Sequence, residues 1–133
     1  MVRTRASLDG GCRARPGGRS LRAVESGSLK RHVHFSSDEV HRETVFETAN
    51  LWAEVLCFER NQTLGPITDH ASDAVFTIVA GEGVFIVDGR RKRLEQWGTV
   101  LVPAGAQVTV TNASADPLVV LLTASPPPAR GSG

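Results

Sequence analysis

The sequence "AVFTIVAGEGVFIVDG" (residues 74–89) contains two short apolar segments, and each of them ends at a turn that bears glycine. The segments are joined through "GEG", and Asp88-Gly89 then leads into "RRKRLEQW". Asp-Gly between two such segments is a strong signal for a two-residue β-hairpin. The stretch therefore predicts consecutive antiparallel strands joined by tight turns.

Similar segments lie on both sides of this hairpin. They alternate or are continuously apolar over strand length, and no segment has a clear amphipathic helical period. The segments are "ETVFETA" (43–49), "LWAEVLCFER" (51–60), "TVLVPAG" (99–105), "AQVTVTN" (106–112) and "PLVVLLTA" (117–124). Short strands at this spacing predict an all-β antiparallel sandwich or barrel.

Length and charge narrow the class of protein further. The chain has 133 residues, 41% hydrophobic and 22% charged, which suits one compact domain. Residues 1–31 carry a net charge of +6, whereas residues 32–133 carry −5. No run reaches the roughly 18 apolar residues that a membrane helix needs, and no basic folded face is evident. We therefore expect neither a membrane nor a nucleic acid as partner.

The composition also predicts the limits of the domain. Residues 1–31 are rich in Arg, Gly and Ser and are predicted to be a disordered basic tail, either a transit peptide or an extension from a misplaced start codon. A β-barrel is predicted over residues 32–125, followed by a disordered Pro/Gly tail over 126–133. Cys12 and Cys57 lack a metal or redox spacing, which favours a reduced, cytoplasmic setting.

Two parts of the chain resemble the two sequence motifs of the cupin superfamily. The proteins of this superfamily are small jelly-roll β-barrels. "AVFTIVAG" is similar to the end of the first motif, with Gly81 as its closing glycine. "PAGAQVTVTN" is similar to the second motif through Pro103, Gly105 and Asn112. The resemblance covers about residues 44–124 and implies a cupin-like jelly-roll barrel of antiparallel strands, of the small single-domain type.

The same alignment implies that the family's metal ligands are mostly missing. The glutamate position falls on Ala74 and the second motif's histidine position on Val108. The two histidine positions of the first motif fall on Thr68 and His70, or, with a gap longer by one residue, on Ile67 and Asp69. Trp97 stands where the second motif opens with glycine. Only His70 matches the ligand pattern, so we expect no metal and no other cofactor.

Two other sets of residues require a separate interpretation. Asp69, His70 and Asp73 offer a rebuilt metal site only if a turn brings adjacent side chains to one face. His32, His34 and Glu39 in "HVHFSSDE" have the formal ligand spacing of the first motif but lie in no barrel strand. We interpret them as solvated side chains of a polar lead-in, together with His41.

The alternation of side chains along each strand predicts which residues form the walls of a barrel cavity. Trp52, Glu54, Leu56 and Phe58 share one face of their strand. Glu54 is a candidate acid or base if that face points inward and a solvated carboxylate if it points outward. The predicted pocket residues are Trp52, Leu56, Thr68, His70, Ala74, Phe76 and Val108.

Three classes of function remain open. The first is a barrel without the usual metal that binds a small organic ligand in an apolar cavity. The second is an enzyme, either a metal-free isomerase or epimerase that uses His70 with Glu54 or Asp73, or a metal-dependent, dioxygenase-type enzyme with a rebuilt site. The third is a structural or regulatory barrel with a filled core. The apolar "LVVLL" and the two tryptophans also predict a homodimer.

Overall fold

The computed structural model describes residues 24–128. In this part of the chain a short 3-10 turn, Leu29–His32, precedes nine β-strands. The strands are β1 His41–Glu47, β2 Trp52–Phe58, β3 Thr63–Thr68, β4 Asp73–Ala80, β5 Gly83–Val87, β6 Arg90–Leu94, β7 Thr99–Val102, β8 Gln107–Thr111 and β9 Leu118–Ser125. No helix in these residues is long and apolar enough to cross a membrane.

The strands form two antiparallel sheets that face each other. One has the order β1-β2-β9-β4-β7 and the other the order β3-β8-β5-β6. Neighbours that are distant in sequence, such as β9 between β2 and β4, give the jelly-roll connectivity that the resemblance implied. The all-β fold class is therefore confirmed.

The hairpin between β5 and β6 has the turn that Asp88-Gly89 predicts. Val87 pairs with Arg90, which leaves a two-residue loop. Both loop residues have positive φ, 48° for Asp88 and 82° for Gly89. This is the conformation in which Asp-Gly is favoured.

The main hydrophobic core fills one end of the space between the sheets. Phe58, Phe85, Ile78 and Leu118 are each fully buried there. Phe76 and Phe85 come from opposite sheets and pack edge to face, with ring centroids 5.6 Å apart. Because side chains pack closely at this end, the unfilled space lies at the other end of the barrel.

A second cluster lies on the outer side of the five-stranded sheet. Val55, Cys57 and Val119 are buried there, because Leu29 and Val33 of the N-terminal segment pack over them. Burial raises the pKa of the Cys57 thiol, as expected for a cysteine that serves as a small hydrophobic residue. The cytoplasmic location inferred from cysteine usage stays a prediction.

The two predicted tails are described only in part. Residues 1–23 and 129–133, and with them Cys12, lie outside the described residues. Leu29 belongs to the predicted basic tail but packs on the barrel, and Pro127 and Pro128 of the predicted C-terminal tail lie at the cavity. The contacts of the barrel thus extend beyond both limits predicted from composition.

Candidate functional site

A cavity of about 410 Å³ opens between the two sheets at the end that the main core leaves free. Its wall is largely apolar, and the apolar residues are Trp52, Ile67, Ala74, Phe76, Val102, Pro103, Ala106, Val108, Leu122, Ala124, Pro127 and Pro128. The polar residues of the wall are Arg42, Glu47, Thr68, Asp69 and Ser72. An apolar wall with a few polar groups is typical of sites for small organic molecules.

Five of the seven predicted pocket residues line this cavity: Trp52, Thr68, Ala74, Phe76 and Val108. The other two differ from the prediction. Leu56 is fully buried in the main core, where it packs with the phenylalanines instead of reaching the cavity. His70 is exposed in the loop between β3 and β4 and is not part of the wall.

The position of His70 follows from the pairing of β3. Ile67 pairs with Val108 and Thr68 with Gln107. Since Val108 is buried and Gln107 is exposed, Ile67 lies on the inner face of β3. This pairing matches the alternative alignment, in which the histidine positions of the first motif fall on Ile67 and Asp69.

The family's four ligand positions then hold one side chain that can donate to a metal. Ile67, Ala74 and Val108 are hydrocarbon, and all three line the cavity. The carboxylate of Asp69 accepts hydrogen bonds from the backbone N–H groups of Ala71 and Ser72, at 2.8 and 3.1 Å. Among residues 24–128 no three His, Cys, Asp or Glu side chains are grouped so that they could hold a metal ion.

The remaining candidates for acid–base chemistry do not meet at the cavity. The Asp73 carboxylate accepts a hydrogen bond of 2.9 Å from the backbone N–H of Ala104, so it ties β4 to the loop after β7. Glu54 is buried and bound to an arginine. Of the described residues that line the cavity, none is His70, Glu54 or Asp73.

Glu54 lies on the inner face of β2 and is bound by Arg42 of β1. Its side chain is 7% exposed. Arg42 donates from Nε to both carboxylate oxygens, at 3.2 and 3.1 Å, and from Nη2 to Oε1 at 2.9 Å. The alternative of a solvated strand carboxylate is therefore wrong, because the side chain is inside. The carboxylate is paired with the guanidinium of Arg42.

Arg42 is one of several wall residues that strand alternation did not predict, and the one that carries a positive charge. Its strand begins at His41, two residues before the predicted segment, so the alternation that places Arg42 and Thr44 on one face was not followed to its start. The signal that could have found it is the inward glutamate itself. A buried carboxylate requires a cationic or hydrogen-bonding partner on a neighbouring strand.

Of the side chains that we expected to be solvated, His34 and Glu39 are exposed, whereas His32 and His41 are half-buried. His32 Nδ1 donates to Glu43 Oε2 at 2.7 Å, and His41 Nε2 lies 3.3 Å from Glu43 Oε1. These hydrogen bonds, that of His32 first, hold the pKa of Glu43 below its usual range. His34 packs edge to face on His41, with ring centroids 5.7 Å apart. The group fastens the N-terminal segment to β1, on the outer side of the sheet.

The comparison with protein families identifies the chain. The family model described as "Cupin domain" matches residues 55–124, more than half of the 133 residues. The chain belongs to the cupin family. No curated protein sequence matches it significantly.

Solved structures with the same fold include bacterial proteins of similar size. TT1209 from Thermus thermophilus is 26% identical with a TM-score of 0.76, and the match covers 79% of this chain and 100% of that one. An RmlC-like cupin protein from Desulfovibrio desulfuricans is 24% identical with a TM-score of 0.70, covering 79% and 99%. A double-stranded β-helix protein from Klebsiella pneumoniae is 18% identical with a TM-score of 0.73, covering 78% and 91%.

The motif residues that this cupin retains have structural roles. Gly81 has a φ of 87° in the connection between β4 and β5. Asn112 is fully buried, and its side chain bonds to three backbone groups from two parts of the chain. The retained motif residues therefore hold the barrel together, whereas three of the four ligand positions, Ile67, Ala74 and Val108, lie in the apolar part of the cavity wall.

Proposed function

We propose that this cupin binds a small organic molecule in the barrel cavity without the family's usual metal. The observation that carries the proposal is the cavity of about 410 Å³ with a mostly hydrocarbon wall. A space of this size holds a small organic ligand, and its few polar groups would fix the ligand's orientation. The same cavity argues against a barrel with a completely filled core.

The donor set supports the proposal that the usual metal is not held. Divalent first-row metals are bound by three or four N, O or S donors. The family positions supply a single carboxylate, Asp69, and the lone pairs of its Oδ1 are occupied by two backbone N–H groups. The residues present therefore do not fit the metal, and no step of the proposed function depends on one.

Occupation of the cavity can be tested with a variant that fills it. Ala74→Phe adds an aromatic ring to a half-buried wall position. Cyclohexanecarboxylate and cyclohexanecarboxamide serve as probes, because each has an apolar ring and one small polar group. Neither absorbs where tryptophan does, so both are also compatible with tryptophan fluorescence. We expect at least one probe to bind the unmodified protein and to lose about 10-fold or more in affinity in Ala74→Phe, since each lost apolar contact group contributes roughly 1 kcal/mol. Isothermal titration and ligand-observed NMR measure this.

Thr109→Phe is the matched control for that variant. Thr109 lies next to Val108 on β8 and pairs with Ile86, whose side chain is 37% exposed, so it belongs to the outer face. This substitution adds the same ring outside the cavity and should leave probe affinity unchanged. Binding that persists with EDTA present supports a site without metal. If neither probe binds, or if Ala74→Phe binds both as well as Thr109→Phe does, the proposed function is rejected.

We also propose that the outer face near β7 pairs with a second copy of the chain. β7 is an edge strand of the five-stranded sheet, so one side of its backbone is unpaired within the described barrel. Leu101 on β7 is 60% exposed and lies opposite Val75, which is 38% exposed. Trp97, at the turn before β7, is 72% exposed. A two-fold contact between β7 strands would cover these side chains and pair the edge.

Leu101→Glu is expected to convert this dimer to a monomer, because it places a carboxylate in an apolar contact that is repeated by symmetry. Ile86→Glu, on the outer face of the other sheet, is the control and should leave the dimer intact. Sedimentation velocity at several protein concentrations separates the two states. A monomeric unmodified protein, or an equal effect of both variants, contradicts the assignment of this face.

A further inference from the structure

The cavity wall contains a guanidinium whose orientation is set by a buried carboxylate. Glu54 and Arg42 lie on adjacent strands, and the contacts of Arg42 to Glu54 use Nε and Nη2, at 2.9 to 3.2 Å. Glu54 is 5% exposed as a residue, so this pair is held from the interior of the barrel. Because a guanidinium is planar, contacts along one edge also fix the direction of the opposite edge.

The donors that remain on Arg42 are open to a ligand. A guanidinium has five N–H donors and no acceptor. Within residues 24–128 the hydrogen bonds of Arg42 leave Nη1 and one N–H of Nη2 uncommitted. The Arg42 side chain is 40% exposed and lines the cavity. The cavity therefore contains a planar edge that can only donate hydrogen bonds.

A donor-only edge selects among the polar groups that a small molecule can offer. A carboxylate accepts two parallel hydrogen bonds from such an edge, which is the strong bidentate arrangement. A primary amide accepts only one hydrogen bond from this edge, because its NH₂ group is a donor and faces the second N–H of the guanidinium unfavourably. A phosphate carries up to two negative charges, so Glu54 and Asp69 repel it more strongly than a carboxylate, which carries one. The chemistry therefore favours a carboxylate.

Asp69 limits the ligand to one carboxylate. Asp69 lines the cavity, and its carboxylate would repel a second negative group on the ligand. Trp52, Phe76 and Val108 line the same cavity and suit an apolar ligand body.

We propose that the ligand is a small apolar monocarboxylate, that Arg42 binds its carboxylate, and that Glu54 is the positioning residue for Arg42. This inference rests on the proposed function, since it specifies what occupies the cavity. The same two probes test it, because cyclohexanecarboxylate and its carboxamide have nearly the same shape. Trp97→Phe serves as background, since it leaves Trp52 at the cavity wall as the only tryptophan and makes its fluorescence a local reporter.

In this background we expect the carboxylate to bind about 10- to 100-fold more tightly than the carboxamide, the range for hydrogen bonds to a charged group. Arg42→Met should remove that preference and leave carboxamide affinity within about 3-fold, because the methionine keeps the apolar stem. Arg42→Lys should also remove most of the preference for the carboxylate. A lysine ammonium that is bound to Glu54 lacks the second donor edge of a guanidinium. Equal binding of the two probes to the Trp97→Phe protein without further substitution would overturn the inference.

The role of Glu54 is tested by Glu54→Gln, which keeps the shape and removes the charge. We expect carboxylate affinity to fall about 3- to 10-fold, because the loss of the fixed orientation of Arg42 outweighs the removal of one nearby negative charge, and carboxamide affinity to remain unchanged. An equal loss for both probes would indicate a structural role only and overturn the assignment of Glu54.

Arg42→Met alone leaves a buried carboxylate unpaired and can unfold the barrel. The double variant Arg42→Met/Glu54→Met removes both charges and is the version to measure if the single variant does not fold. It should bind the two probes equally, and a retained carboxylate preference would reject Arg42 as its source. Failure of the proposed function has a different signature, because then neither probe responds to Ala74→Phe.

Discussion

Replacing Gly81 by alanine is expected to lower the free energy of unfolding by about 2–5 kcal/mol, the sum of backbone strain and overpacking. Gly81 has a φ of 87°, which side chains other than glycine rarely adopt. A Cβ atom there would also overlap the carbonyl oxygen of Pro117 and lie 3.0 Å from the Cα of Leu118. Both obstacles are backbone atoms at the start of β9, the central strand of the larger sheet, so relief requires that strand to move. Urea unfolding followed by circular dichroism measures the change.

Gly89→Ala separates the two causes of this destabilisation. Gly89 has a similar φ of 82°, but apart from its chain neighbours no atom of residues 24–128 lies within 4 Å of the position where a Cβ would be. This variant should cost about 1 kcal/mol, which is the backbone strain alone. The difference between the two variants then measures the close approach of the β4–β5 connection to β9. Equal costs would show that the contact with Pro117 relaxes freely.

The fold was predictable because its signals are local. The alternation of β4 and β5, the Asp88-Gly89 turn and the spacing of the segments each depend on a few neighbouring residues. Trp97 stands where the resemblance places a glycine, and its φ of 73° is one that residues other than glycine rarely adopt. The turn before β7 thus has a backbone conformation that suits glycine although the residue is tryptophan.

The register of β3 could not be predicted in the same way. Counting back from Gly81 allowed two alignments that differ by one residue, and such a difference reverses which side chains point inward. The count crosses the loop between β3 and β4, and the length of this loop does not show which residues of β3 point inward. In the structure Ile67 is on the inner face of β3, and His70, the residue that best matched the ligand pattern, is exposed in the loop outside the cavity.

The Arg42–Glu54 pair shows a second limit of sequence reasoning. Alternation correctly grouped Glu54 with Trp52 and Leu56 but left open which face was inside. An inward position of Glu54 depends on its partner Arg42. Arg42 lies 12 positions earlier in the chain and becomes adjacent to Glu54 only when β1 pairs with β2. Pairing between strands is a non-local property, so the composition of the cavity wall was the least predictable part of the site.

Asn112→Ala is expected to lower the free energy of unfolding by about 2–4 kcal/mol, because it leaves buried backbone groups without partners. Asn112 is fully buried. Its Nδ2 donates to the carbonyl oxygens of Phe58 and Asp116 at 3.2 and 2.8 Å, and its Oδ1 accepts from the N–H of Ser114 at 3.0 Å. One side chain thus connects the end of β2 to the loop between β8 and β9. Denaturant unfolding compared with the unmodified protein measures the cost.

Two further variants show whether the hydrogen bonds are the cause. Ser114→Ala removes a hydroxyl from the same loop that contacts only Asp116 among the described residues, and it should cost less than about 1 kcal/mol. Asn112→Asp has nearly the same shape but cannot donate to the two carbonyl groups when ionised, so it should destabilise at least as much as alanine. Asn112 does not line the cavity, so cyclohexanecarboxylate should bind the folded Asn112→Ala variant with unchanged affinity. If Asn112→Asp is as stable as the unmodified protein, the two carbonyl bonds do not hold β2 to this loop, and the motif asparagine stabilises the barrel by its packing alone.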